Sequence, residues 1–123
     1  MSGSKYLLDT NAVLYILDGD ETLINFLFEK ELYLSIISEM ELLSYKDITE
    51  KERLSLEGFL SEFIIINIDE KIKLNTIEVK KESSMKLPDS IIAATAISLK
   101  LPFITSDKQF KNVKQLNLIY YAK

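Results

Sequence analysis

Asp9, Glu41, Asp89 and Asp107 are the residues of this chain best placed to do chemistry. Each follows a run that reads as a strand or opens one that reads as a helix: Leu7-Leu8-Asp9-Thr10-Asn11, Ser38-Glu39-Met40-Glu41-Leu42, Leu87-Pro88-Asp89-Ser90 and Ile104-Thr105-Ser106-Asp107. In an open α/β sheet, ligands bind in the crevice beyond the carboxyl ends of the strands. Four carboxylates gathered there repel one another unless a hard cation sits among them, and an all-oxygen ligand set favours Mg²⁺ or Mn²⁺ over zinc. The chemistry this points to is metal-assisted hydrolysis of a phosphodiester, with RNA as the expected substrate.

Composition narrows the alternatives. The chain has no histidine and no cysteine, which removes thiol nucleophiles, zinc fingers, histidine bases and Ser-His-Asp triads. Proton transfer must then fall to a carboxylate or a water. A net charge of −4 argues at first against a nucleic-acid partner, because phosphate binding is mainly electrostatic. Setting the four acids aside leaves 15 acidic against 15 basic residues, so the excess can lie in one place where metal ions would neutralise it. Lys86 and Lys108 lie beside the acids and could touch phosphates, or could be ordinary solvated lysines.

Each acid also has a structural reading. Asp9 could cap a helix beginning near Ala12, with Thr10 and Asn11 supplying a hydroxyl and an amide to orient it. Ser38-x-x-Glu41 is a capping-box pattern, and periodicity places Glu39 and Glu41 almost symmetrically about the apolar stripe of Ile37, Met40 and Leu43. Asp89 in a first helical turn is favoured by the helix dipole. Asp107, between a strand and a short helix, could be a cap.

The elements that must position these residues alternate. Strands are expected at Lys5–Leu8, Leu32–Ile37, Ile64–Ile68, Leu101–Thr105 and Asn117–Tyr121, where apolar and β-branched residues run together. Amphipathic spacing predicts helices around Ala12–Leu17, Leu23–Phe28, Ser38–Tyr45 and Thr49–Glu62. Further helices should run from Asp69 to about Ser83, from Pro88 to Ile97 and, briefly, from Lys108 to Val113. Alternating strands and helices imply an α/β fold: a three-layer α/β/α sandwich with a mostly parallel central sheet of four to five strands.

A chain of 123 residues is the length of one domain, expected over residues 5–123 behind a flexible leader at 1–4. No apolar run approaches the roughly 18 residues of a membrane span. The small polar start carries no secretory pattern, so a cytoplasmic location is expected. Tyr15, Phe26, Phe28 and Tyr33 are taken as core residues, the alternative being a groove for a partner helix.

The acids and their flanks resemble a PIN-domain ribonuclease, specifically a single-domain VapC-type toxin. The segments that carry the resemblance are Leu7 to Asn11, Leu34 to Leu42, Leu87 to Ala96 and Phe103 to Phe110, in the family's order. It implies catalytic and metal-ligating roles for Asp9, Glu41, Asp89 and Asp107, and it favours Glu41 over Glu39. It also implies supporting roles for Asn11 and Thr10, for Ser38 where threonine is commoner, and for Thr105 or Ser106. Mg²⁺- or Mn²⁺-dependent RNA cleavage, a small antitoxin partner and a homodimer follow as expectations, as does the absence of any membrane role. A PIN-like RNA-processing nuclease without a toxin role and an inactive PIN-like binding module are the alternatives. A dehalogenase-type phosphotransferase would want a second Asp where Asn11 stands, and a receiver domain would want one where Asn67 stands.

Overall fold

β1 (Lys5–Leu8) pairs in parallel with β2 (Glu31–Ser35) on one side and with β4 (Phe103–Thr105) on the other. β3 (Ile64–Ile66) extends the sheet beyond β2, and β5 (Leu118–Tyr120) extends it beyond β4, giving a five-stranded, all-parallel order β3-β2-β1-β4-β5. This computed structural model describes residues 4–122; positions 1–3 of the expected leader, and residue 123, lie outside the described residues.

The strands of the centre carry alternating side chains to opposite faces. Tyr6, Leu8, Leu34 and Ile104 join one buried cluster, with α1 (Thr10–Leu17), α2 (Glu21–Leu27), α3 (Ile36–Leu43) and α4 (Glu50–Leu60) over it. Leu7 and Phe103 join the other, under α5 (Glu70–Glu82), α6 (Leu87–Leu99) and a 3₁₀ turn at Lys108–Asn112. A parallel sheet needs cover on both faces, and the expected three-layer sandwich is what forms.

Local chemistry sets the helix ends. Gly19 at φ 86° turns the chain between α1 and α2, a conformation L side chains adopt rarely, and Asp20 then caps α2 through the Leu23 N–H. Thr49 and Glu52 close a reciprocal capping box on α4. α6 is buried at Ile92, Ala93, Ala94 and Ala96, the three alanines putting little bulk between it and its neighbours. Its interior hydroxyls are satisfied locally, Ser90 donating to Lys86 O and Thr95 to Ile91 O.

Three expectations need correction. Ile36 and Ile37 read as strand but begin α3, because the Ser35 hydroxyl accepts the Ile37 N–H and caps the helix there. The Ser38–Glu41 capping box therefore does not form. The Ile64–Ile68 run pairs over only three residues, since β2 ends at Ser35 and offers no further partner. Phe26 and Phe28 are 47% and 71% exposed rather than core: Leu23 and Leu27 occupy the inner face of α2, Phe28 sits at its C-cap, and Phe26 packs edge-on against Tyr6.

Phe110 anchors the 3₁₀ turn to the sheet, fully buried with its ring 4.9 Å from that of Phe103. Phe110→Ala is expected to destabilise the fold by about 3–5 kcal/mol, the range for truncating a buried aromatic, as read from urea unfolding.

Candidate active site

The strand order reverses at β1, so the crevice between the carboxyl ends of β1 and β4 is the switch point of the sheet, where ligands collect in folds of this kind. Asp9 follows β1 and Asp107 lies two residues beyond β4.

Asp9 is only 5% exposed. Its Oδ1 accepts the Thr10 N–H at 2.8 Å, which caps α1, and its Oδ2 accepts the Thr105 hydroxyl at 2.7 Å from across the β1–β4 pair. Thr105 is itself buried and accepts the Asp107 N–H at 3.0 Å, so one hydroxyl ties both strand ends together. The expected supporting pair thus divides: Thr105 meets the acid, whereas Ser106 accepts from the Tyr15 hydroxyl at 3.2 Å.

Glu41 arrives from α3. Thr10 Oγ1 stands 2.8 Å from Glu41 Oε1 and 2.8 Å from the buried Ser38 Oγ. A threonine has a single O–H, and both contacts are met when Ser38 donates to Thr10 and Thr10 donates to Glu41. Glu41 thereby joins Asp9, Thr10, Asn11, Leu14, Tyr45, Asp89 and Asp107 around a cavity of about 320 Å³. Glu39 does not line it.

Asp89 lies in the first turn of α6 beyond Pro88, and among the described residues no side chain caps that helix end. Asp89 instead accepts the side-chain amide of Gln109 at 3.1 Å, and the same nitrogen donates to Asp107 Oδ2 at 2.7 Å. Asp107 Oδ1 takes the Gln109 backbone N–H at 3.0 Å, capping the 3₁₀ turn. Gln109 was invisible to the motifs. Its one sequence signal is an amide two residues after a strand-end Asp, a spacing that a tight turn folds back onto the carboxylate.

The pocket is strongly electronegative. Burial pushes the Asp9 carboxyl up to about 6, against the hydrogen bonds from Thr105 and Thr10, and the charges of Asp89 and Asp107 push the same way. Asp89 is also raised, first by burial and then by Asp107, while the Gln109 hydrogen bond and the Lys86 charge oppose. Among the described residues no ion pair neutralises any of the four acids; the pairs that form lie on α4 and α5. Lys86 and Lys108 are exposed and form none.

An all-oxygen, uncompensated donor set suits a hard dication. Among the described residues no three acids stand close enough to enclose one directly. That arrangement fits Mg²⁺, which keeps several waters and takes one or two carboxylates. A larger cleft of about 670 Å³ adjoins, sharing Leu14 and Tyr45; Leu17, Leu42, Ile48, Leu56 and Phe59 make it mostly apolar, and its charged residues, Lys46, Asp47 and Glu52, are of mixed sign. Chemistry rather than size marks the smaller cavity as the candidate site.

Residues 6–116 match the PIN domain family. No curated protein matches the chain. Among solved structures, a toxin–antitoxin complex from Klebsiella pneumoniae contains a chain 27% identical, with a TM-score of 0.82 over 96% of this chain and 99% of that one. VapBC2 from Rickettsia felis, bound to a promoter DNA fragment, is similar at 24% identity and a TM-score of 0.83, covering 95% and 98%. VapBC-1 from nontypeable Haemophilus influenzae follows at 23% and 0.80, covering 94% and 97%. At those two identities the likeness is one of fold.

The raised Asp9 carboxyl has a sign. Unfolded, it ionises near 3.8; folded, near 6. Its favourable contribution is therefore complete below pH 4 and lost as pH rises through 6, a difference of about 3 kcal/mol. Urea midpoints measured in chelator between pH 4 and 7 should fall more for wild type than for Asp9→Asn, and parallel curves would contradict this.

Proposed function

The chain belongs to the PIN domain family, and from that premise we propose that it is a divalent-metal-dependent endoribonuclease serving as the toxin of a toxin–antitoxin pair. The observation that carries this reading is the convergence of Asp9, Glu41, Asp89 and Asp107 on one cavity at the switch point of the sheet. The toxin role draws on the likeness to the Klebsiella toxin–antitoxin complex over nearly the whole chain.

Among Asp9, Asp89 and Asp107, one or two would hold the ion, Mg²⁺ or Mn²⁺, directly and the others through its bound waters, with Glu41 at the exposed rim ligating directly or through water. When bound, such an ion activates a water and offsets charge developing on the phosphate oxygens. The chain supplies the rest. Thr105 and Thr10 fix both oxygens of Asp9, so that this carboxylate cannot rotate away. Thr10 orients Glu41, whose solvent-facing carboxylate is free to take a proton where no histidine exists to do so. Asn11 offers an amide on the same wall, and Lys86, close enough to act on Asp89, stands where an RNA phosphate would approach.

The apolar cleft beside the site suits the second half of the role. Its lining would receive the apolar face of a partner segment, and because Leu14 and Tyr45 belong to both cavities, an antitoxin seated there would stand at the rim of the acidic pocket. A homodimer and a cytoplasmic site of action belong to this reading. No helix among the described residues is long and apolar enough to cross a membrane.

Purified protein should cleave RNA in Mg²⁺ or Mn²⁺ and stop in chelator. Asp9→Asn, Asp89→Asn and Asp107→Asn should each lower the rate by roughly 100-fold or more, beyond what outer-sphere partners usually cost, with folding intact by circular dichroism. Cleavage that survives chelator or all three substitutions would overturn the reading.

A further inference from the structure

Gln109 lies outside every motif that points to the site, yet it touches two of the four acids. Its Nε2 is 2.7 Å from Asp107 Oδ2 and 3.1 Å from Asp89 Oδ2, so those two oxygens lie less than about 6 Å apart. The acids come from separate elements, Asp89 from α6 and Asp107 from the turn after β4. Two carboxylates at that distance repel one another. An amide answers this well, because its two N–H groups diverge in one plane and each can serve a different acceptor.

The placement of Gln109 is fixed from below. Its backbone N–H is held by Asp107 Oδ1 at 3.0 Å, and its neighbour Phe110 is fully buried against Phe103. The side chain is thus carried by a short anchored turn. Both donations go to Oδ2 atoms, and Asp89 Oδ1 accepts no hydrogen bond from the described residues. Each carboxylate oxygen has two lone pairs, so the amide can stay in place while an ion is ligated. Two ligands of an octahedral ion with bonds of ~2.1 Å are roughly 3–4 Å apart; the clamped pair needs only a small rotation to reach that spacing.

We infer that Gln109 is a positioning residue for the dication: its side-chain amide draws Asp89 and Asp107 together before the ion arrives and keeps them oriented afterwards. This rests on the reading of the four acids as an ion site. Losing the donor leaves the pair to swing apart, and that separation must be reversed whenever an ion binds.

The test is Mn²⁺ binding to the intact chain by calorimetry, alongside unfolding in chelator. Gln109→Met keeps the length without the donor; Gln109→Asn keeps the amide on a side chain too short to span both acids. Each should weaken Mn²⁺ binding by about 10-fold, the lower end of the range for partners of metal ligands. RNA cleavage should recover to near wild type at saturating Mn²⁺, which a folding defect would not allow. Mn²⁺ binding that is unchanged or tighter in either folded variant overturns the inference, a tighter value marking Gln109 as a plug instead of a clamp. If wild type binds Mn²⁺ and Asp89→Asn does not, such a result leaves the nuclease reading standing; if wild type itself binds none, that reading falls and this one with it.

Discussion

A carboxylate buried at the switch point of a parallel sheet is the constraint on which the rest of this structure turns. Asp9 is almost out of reach of solvent, and a charge in that position is costly unless donors meet it. Two do: the first N–H of α1 and the hydroxyl of Thr105. The second donor exists only because β1 and β4 are neighbours in register, Leu8 opposite Ile104, which brings the residues following each strand side by side. Strand order, buried acid and hydroxyl are therefore one arrangement. The same Thr105 also accepts the Asp107 N–H, carrying the arrangement on to the next acid.

Capping and metal ligation are rival accounts of an acid only while it is a letter in a sequence. In the folded chain Asp9 caps α1 and Asp107 caps the 3₁₀ turn, yet both line the acidic cavity. A carboxylate has two oxygens and about four lone-pair sites, so one cap leaves room for an ion. The cap also adds something: it freezes the side chain, and an oriented ligand loses less freedom when the ion binds. Asp89 and Glu41 are the exceptions: Asp89 takes the Gln109 amide and not its own helix end, and the cap of α3 is Ser35 and not Ser38. Freed from the capping box, Glu41 turns to Thr10 and the cavity.

Much of the fold could be read from the chain, because the strands of a parallel sheet covered by helices leave continuous apolar runs, and all five strands, including the half-exposed edges β3 and β5, lie within such runs. The three acids that follow strands or open α6 were legible for the same reason: a carboxylate directly after such a run has nothing apolar to do. Other features were not legible. Ile36 and Ile37 have strand-forming side chains, and a single serine hydroxyl decides that they start a helix. Phe26 lies in α2 and Phe28 at its C-cap, where the inward face is already filled by Leu23 and Leu27, and periodicity over seven residues cannot tell which aromatic is surplus. Glu41 was separated from Glu39 by resemblance alone, where the structure separates them by the reach of Thr10. Gln109 carries only the weak signal of its spacing from Asp107, for its other contact is with Asp89, twenty positions away.

The distribution of charge links the ion to the substrate. The chain is acidic overall, and its cation–carboxylate pairs lie on α4 and α5, leaving the four site acids without a partner among the described residues. Two of those acids, Asp9 and Asp89, hold their protons more tightly than usual, first because they are buried and then because the charge of Asp107 bears on both. A pocket in that state repels a polyanion. A dication reverses the local sign and, by favouring the ionised carboxylates, draws their raised pKa values down. On the proposed function, RNA and metal would then not bind independently: each would lower the electrostatic cost of the other, and by linkage the coupling would be equal in both directions. On that reading an acidic protein with few basic residues at its site would engage a nucleic acid in this way, the metal ion adding most of the positive charge that Lys86 and Lys108 alone would not supply.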